Sequence, residues 1–246
     1  MDSIILFYLL LFSIAFLYAS VGHGGASGYL ALMALYGMSP AVMKPTALLL
    51  NLFVSMVAFI YYYRAHYFVG KLFLPLALAS VPLAFLGGNI AVDAAVYKLL
   101  LGVFLLVPVA RFLFFKDIKP RAGVSPKTSW LILIGGAIGL LSGLLGIGGG
   151  VILSPILLLL AWTDQKQAAA ISALFIFVNS LAGLSGQLMQ GATFYPDMIA
   201  YVTIAFAGGL AGSYFGAKKF QQRTIKLLLA MVLLVASFKL FLPYLL

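Results

Sequence analysis

The amino-acid sequence predicts an all-α polytopic membrane protein built from two inverted repeats of five helical segments. Three observations lead to this fold class: an apolar composition, apolar runs long enough to cross a bilayer, and a similarity between the two halves of the chain. Of the 246 residues, 64% are hydrophobic and only 8% are charged. Soluble domains carry about a quarter charged residues, so this chain cannot cover a water-facing surface.

The same composition limits the classes of function. The absence of Cys excludes disulfides, thiolate catalysis and Cys-ligated zinc. Two His and five carboxylates are too few for a metal cage, so we predict no metal, no cofactor and no catalytic residue. A net charge of +10 would suggest nucleic acid for a soluble protein. In a membrane protein it reflects cytoplasmic loops, so the predicted partners are the lipid bilayer and a small anion, without nucleic acid.

Seven apolar runs have the length of about 20 residues that a bilayer requires: 3–21, 45–63, 72–91, 95–115, 168–187, 196–217 and 224–245. Two regions consist instead of a helix, a glycine-rich break and a short helix. In the first half, run 3–21 precedes the glycines of 22–28 and a short run 29–37; in the second, 129–145 precedes 146–150 and 151–161. A run of 11 residues spans about 16 Å, so the short helices are expected to reach the membrane midplane.

The first three residues, Met1-Asp2-Ser3, include an acid and no Lys or Arg, so we interpret the first run as mature structure, not as a signal peptide. The polar connector 116–128 divides the chain into a first repeat, 1–115, and a second repeat, 129–246.

The halves match at nearly constant offsets. A shift of 124 places Gly22-His-Gly-Gly-Ala on Gly146-Ile-Gly-Gly-Gly, and a shift of 128 places Asn51 on Asn179 and segment 80–106 on 208–234. Such similarity is typical of transporter repeats.

The distribution of Lys and Arg then selects a topology. If each broken segment is a hairpin, 12 of the 15 basic residues share one side, with Lys44, Lys98 and Lys239 nearer the other. If each runs straight through, the split is 8 to 7. Because the positive side faces the cytoplasm, we predict a cytoplasmic central loop, both termini outside and inverted halves.

The glycine-rich breaks are the predicted substrate site. Backbone N–H groups freed at mid-membrane are tolerated only where protein, water or ligand satisfies them, and the helix after each break presents an anion-attracting N-terminus. The alternative is that the glycines only permit a tight, closely packed turn. The predicted substrate-binding residues are Gly22, His23, Gly24, Gly25, Ser27, Asn51, Gly146, Gly148, Gly149, Gly150 and Asn179.

Some polar side chains near the breaks support this site. Buried amides such as Asn51 and Asn179 are costly without partners, so they either line a cavity, tie down the breaks or form a plain interhelical hydrogen bond. His23 is the one ionisable side chain expected near the midplane, either to contact an anion, to carry a proton or as a structural residue. Ser27, Ser142 and Ser154 flank the breaks.

Two glycine ladders have a simpler interpretation. Gly135, Gly139 and Gly143 are spaced by four residues, and so are the glycines at 208, 212 and 216. This spacing favours close helix packing.

The second break resembles a known motif. Gly146-Ile-Gly-Gly-Gly-Val-Ile-Leu-Ser-Pro155, in a chain of two similar halves, is similar to the sulfite exporter TauE/SafE family of membrane permeases. The first half departs from that pattern, with Ala26 in place of the third glycine and no later proline. The resemblance implies transport of sulfite, thiosulfate, sulfoacetate or other small sulfur-containing or organic anions.

The predicted function is therefore secondary transport of a small oxyanion by alternating access. A passive anion channel is the nearer alternative. A membrane-embedded enzyme is the more distant one, because there is no Glu and every Asp lies at or near a segment end. The sequence leaves homo-oligomer formation open.

Overall fold

A computed structural model describes residues 2–20, 22–114, 126–218, 231 and 233–242. Its helices are α1 (Asp2–Ser20), α2 (Ala26–Leu35), α3 (Pro40–Arg64), α4 (Gly70–Gly88), α5 (Ala94–Phe114), α6 (Thr128–Leu145), α7 (Gly150–Leu159), α8 (Gln165–Met189), α9 (Asp197–Lys218) and α10 (Leu233–Leu242). In the described part of the chain the predicted all-α class is confirmed.

Five of the described helices are long and apolar enough to cross a membrane: α3, α4, α6, α8 and the Asp197–Phe215 part of α9. The protein is thus a multi-pass membrane protein. At runs 3–21 and 95–115 the structure has shorter apolar helices, Ile4–Ser20 and Ala94–Val107. Most of 116–128 and the first part of 224–245 lie outside the described residues.

Both predicted breaks are present, and glycine conformation explains where they fall. Gly146 (φ +76°) ends α6 and Gly149 (φ +76°) precedes α7, while Gly25 (φ +101°) precedes α2. These left-handed conformations are unfavourable for residues with a Cβ. The two short helices that follow have 10 residues each, about 15 Å in length.

Helix starts depend on local capping signals. Helix α3 begins at Pro40, five residues before the apolar run, because proline suits the first helical position; this brings Lys44 into the helix. Helix α8 begins after Asp164, whose side chain forms a capping box with Gln167. Asp93 Oδ1 accepts hydrogen bonds from the N–H groups that open α5.

The two halves interlock. Helices α3 and α8 pack against each other at the centre and are the most buried of the five long helices, with 67% and 72% of their apolar stretches inside the protein. The fourth helix of each half packs on the first helix of the other half: α4 on α6, and α9 on α1. The α4–α6 and α1–α9 contacts are therefore equivalent under exchange of the two halves, as expected for a repeat. The inversion of the halves across the membrane stays a prediction.

The glycine ladders lie in these interfaces. A Cβ on Gly135, Gly139 or Gly143 of α6 would lie 2.4, 2.3 or 1.9 Å from a backbone carbonyl oxygen of α4. On α9, a Cβ at Gly208 or Gly212 would meet a carbonyl oxygen of α1 at 2.5 or 2.1 Å. The interpretation as close-packing devices is therefore confirmed at these five positions; the surroundings of Gly216 are outside the description.

Candidate functional site at the helix breaks

The two breaks meet at shared side chains of α3 and α8. A Cβ on Gly24 would lie 2.5 Å from Asn51 Oδ1, and a Cβ on Gly148 would lie 2.5 Å from Asn51 Nδ2. Both positions also approach Ile176 Cγ2, at 2.9 and 3.0 Å. The fold therefore brings one break from each half against Asn51, although they are more than 120 residues apart in the chain.

Asn51 ties the breaks together. It is fully buried, and its Oδ1 accepts a hydrogen bond from the Ala26 N–H (3.1 Å), the first residue of α2. Its Nδ2 donates to Ser180 Oγ on α8 at 3.2 Å and lies 3.5 Å from the Ile147 carbonyl in the second break. Two of the roles predicted for this amide are therefore present together: Asn51 ties down the breaks, and it forms an interhelical hydrogen bond with α8.

Asn179 does not repeat this arrangement, although it is equally buried. Its Nδ2 donates to the Phe175 carbonyl of its own helix at 2.8 Å, and its Oδ1 has no partner. The matched positions of the two repeats therefore form different hydrogen bonds: Asn51 bonds to other segments, and Asn179 bonds within its own helix.

His23 links the first break to the second half. The side chain is 8% exposed, and Nε2 lies 2.7 Å from Ser154 Oγ on α7. The His23 N–H donates to the Tyr18 carbonyl at 2.9 Å. His23 and Ser154 thus form one hydrogen-bonded pair across the repeat interface.

The start of α2 is closed by two tyrosines. The Tyr18 and Ser27 hydroxyls share a hydrogen bond of 2.7 Å, and the Tyr29 hydroxyl donates to the Gly24 carbonyl at 2.8 Å. The Tyr29 ring lies where a side chain on Gly25 would be, 2.6 Å from its Cβ position. Sequence reasoning missed both tyrosines, yet a signal existed: Tyr18 precedes Gly22 by four residues, as Ser142 precedes Gly146.

The start of α7 is different. The Ser142 and Ser172 hydroxyls are fully buried and have no hydrogen-bond partner. They belong to residues beside the break: a Cβ on Gly149 would lie 3.4 Å from Ser142 Cβ, and a Cβ on Gly150 would lie 3.1 Å from the Ser172 carbonyl oxygen. Helix α7 has no side-chain cap, and the first N–H groups of a helix lack intrahelical acceptors. The start of α7 is thus uncapped, and two residues that contact the break carry buried hydroxyls without a partner.

The glycines themselves are required for packing. A Cβ on Gly150 would lie 2.3 Å from Ile176 Cγ1, one on Gly149 2.8 Å from Ile138 Cγ2, and one on Gly22 2.4 Å from Ala169 Cβ. The packing alternative therefore accounts for these glycines without a ligand. The two unpartnered serine hydroxyls are the feature it leaves unexplained.

Within the described ranges, no group of three or more His, Cys, Asp or Glu side chains is placed to hold a metal ion. His66, by contrast with His23, is exposed in the turn after α3.

Comparison with known proteins identifies the family. The model described as "Sulfite exporter TauE/SafE" matches residues 7–240. The chain belongs to this family. The resemblance seen in the glycine motif is thereby confirmed over nearly the whole chain.

Several curated relatives are named as membrane transporters. "Probable membrane transporter protein y4hK" of Sinorhizobium fredii is 35% identical over 234 residues, 93% of this chain and 94% of that protein. "Probable membrane transporter protein MJ0441" of Methanocaldococcus jannaschii is 32% identical over 56% of this chain and 52% of its own. "Probable membrane transporter protein MamO" of Magnetospirillum gryphiswaldense is 25% identical over 77% of this chain and 37% of its own. No solved structure matches the chain.

Proposed function

We propose that the protein is a secondary transporter of small sulfur-containing or organic oxyanions, of the sulfite, thiosulfate and sulfonate class. The observation that carries the proposal is the pair of buried, unpartnered hydroxyls of Ser142 and Ser172 beside the uncapped start of α7. Family membership supports the transport function. The substrate class rests on the donor chemistry and on the family's name.

The donors suit a partly dehydrated anion. Hydrogen bonds to a charged group contribute about 1.5–3 kcal/mol each, and the helix N-terminus adds its dipole. A buried hydroxyl without a partner costs about 1–3 kcal/mol, which an oxyanion bound to Ser142 and Ser172 would relieve. Binding would therefore need no salt bridge inside the break.

His23 is the proposed point of proton coupling. Histidine ordinarily changes charge between pH 5 and 8, and His23 reaches the second half through Ser154. A protonated imidazole donates from both ring nitrogens, so it would favour an anion beside α7. The role is proposed for the second break because Asn51, Tyr18 and Tyr29 already satisfy polar groups at the first.

The packing suggests which bodies move during alternating access. The repeat in the sequence predicts rocking of the two halves. The glycine interfaces, however, join α4 to α6 and α1 to α9, each across the halves. Separating the helices of a glycine-packed pair would be energetically unfavourable, because their close backbone contacts would be lost. We therefore assign α4, α6 and α8 to one body and α1, α3 and α9 to the other. The α3–α8 contact and the breaks lie between them.

Flux of labelled sulfite, thiosulfate and a sulfonate into proteoliposomes, with and without a pH gradient, tests the proposal. Saturable exchange of one of these anions supports a carrier. Flux that rises in proportion to concentration indicates the channel alternative. Chemical conversion of the anion without flux indicates an enzyme and contradicts the proposal.

A further inference from the structure

A cavity of about 270 Å³ opens where α3 begins and α8 ends. Its lining includes Lys44, Gln187 and Gln190. Sites for drug-sized ligands occupy about 300–1,000 Å³, so this cavity has the volume for a small ion with some water. None of these three side chains was among the predicted site residues.

Lys44 is a buried cation without a counter-charge in the described structure. It is 9% exposed, its Nζ lies 3.5 Å from the Leu144 carbonyl oxygen, and it stands 5.3 Å from the centre of the Tyr97 ring. Among the described residues, no carboxylate lies within salt-bridge distance of Lys44. Asp93 follows Ala91 of the cavity lining by two residues, but its carboxylate caps the start of α5. A buried charge is costly unless paired, and a bound anion would supply the missing charge.

Gln187 provides a second polar group with nothing to bind. The side chain is 2% exposed, and both Oε1 and Nε2 lack hydrogen-bond partners. Gln190, on the same rim, is already used, because its Nε2 donates to the Asn89 carbonyl at 3.3 Å. Buried amides are normally satisfied, so the free Gln187 amide beside Lys44 points to a ligand that accepts a hydrogen bond.

Lys44 also connects this cavity to the second break. A Cβ on Gly146 would lie 3.1 Å from Lys44 Cα, and Gly146 is the residue that ends α6. We propose that the cavity is an anion-docking subsite, in which the Lys44 ammonium and the Gln187 Nε2 hold a small oxyanion before it reaches the start of α7. This inference rests on the proposed function, since it places a second station on the same transport route.

A purely structural role for Lys44 makes a different prediction. Leu144 contributes one of the last carbonyl groups of α6, and a cation near a helix C-terminus stabilises it. If that were the whole role, removing the charge would lower thermal stability and leave the concentration dependence of transport unchanged. The two readings are therefore separable by kinetics.

The experiment measures saturation of sulfite and thiosulfate uptake by proteoliposomes of the full chain, for Lys44→Gln, Gln187→Leu and Gln187→Glu. We expect Lys44→Gln to raise KM about tenfold or more through a lost charge-assisted hydrogen bond, with kcat changed by less than about threefold. Gln187→Leu should raise KM by a smaller factor. Gln187→Glu should raise it most, because the new carboxylate competes for Lys44.

Lys98→Gln is the matched control, since it removes one positive charge at the next residue after Tyr97, in a different cavity of about 160 Å³. Its KM should stay at the wild-type value. An equal rise in KM for Lys98→Gln and Lys44→Gln would show a general surface-potential effect and overturn the subsite.

An unchanged KM in all three cavity variants would also overturn the subsite. Should Lys44→Gln fail to fold, the two Gln187 variants decide, because Leu has a similar volume and its introduction breaks no side-chain hydrogen bond of Gln187. The two proposals fail in different ways. A wild-type protein with no flux of these anions would refute the proposed function itself. Saturable wild-type flux with an unaltered KM in the variants would refute only the subsite.

Discussion

Replacing Asn51 and Asn179 by Ala, one at a time, should have unequal effects on stability, although the two residues occupy matched positions of the repeats. Both side chains are fully buried, so the cavity left by the substitution is similar in the two variants. Their hydrogen bonds differ. Asn51→Ala leaves the Ala26 N–H and the Ser180 hydroxyl without the partners they have at 3.1 and 3.2 Å.

The difference can be worked from these contacts. Interhelical hydrogen bonds between membrane helices contribute about 0.6 kcal/mol on average and up to about 1.7, so two such bonds amount to roughly 1–3 kcal/mol. Asn179→Ala removes one bond to the Phe175 carbonyl, within α8 itself. That carbonyl keeps the backbone bond of its helix, so the added loss is close to zero.

The assay is unfolding of the purified protein in mixed micelles by a denaturing detergent, read by tryptophan fluorescence or circular dichroism. Asn51→Ala should lower the free energy of unfolding by roughly 1–3 kcal/mol more than Asn179→Ala does. Ser180→Ala provides a check, since it removes one of the same bonds and should account for part of the Asn51 effect. Equal losses in the two asparagine variants would refute the reasoning that Asn51, and not Asn179, ties the breaks.

Three further predictions concern the site and the topology. Ser142→Ala and Ser172→Ala should each raise about tenfold the anion concentration needed for thermal stabilisation. Neither should destabilise the anion-free protein, because each hydroxyl is unpartnered. Ser213→Ala removes another buried, unpartnered hydroxyl and is the control that should change neither quantity. His23→Gln should flatten the pH profile of transport while the protein still folds, and an unchanged profile would leave His23 a structural residue held by its contact with Ser154. Reporter fusions should place both termini outside, as the 12 to 3 division of Lys and Arg predicts; termini on opposite sides would contradict the five-plus-five topology.

The packing also revises one test that the sequence suggests. From the sequence, valine at Gly149 or Gly150 is expected to displace an anion from the start of α7. In the structure, a Cβ at Gly150 would already lie 2.3 Å from Ile176, and Gly149 has a left-handed conformation. Such variants are expected to misfold, so loss of binding in them would not identify the site; the serine substitutions avoid this problem.

The amino-acid sequence by itself determined the class of the protein and the order of its segments. Apolar composition, run length and the glycine breaks are local properties, and a bilayer requires helices wherever the chain crosses it. The starts of α2 and α7 accordingly fall within three residues of the predicted short runs. The family follows from the motif around Gly146 for the same reason, because a motif is a property of consecutive residues.

Only the tertiary structure decided how the matched residues differ. Asn51 and Asn179 are equivalent in the sequence, but a hydrogen bond depends on which groups from other helices come within about 3 Å. The packing of α2 on α3 within the first half brings Ala26 to Asn51, and the interlocking of the halves brings Ser180 to it. No polar group of the described residues reaches Asn179 Oδ1. From the sequence, Lys44 was predicted only to lie nearer the side of the membrane opposite the central loop. Its burial beside Gly146 and the free amide of Gln187 arises from contacts among α3, α6 and α8, and no local pattern encodes these.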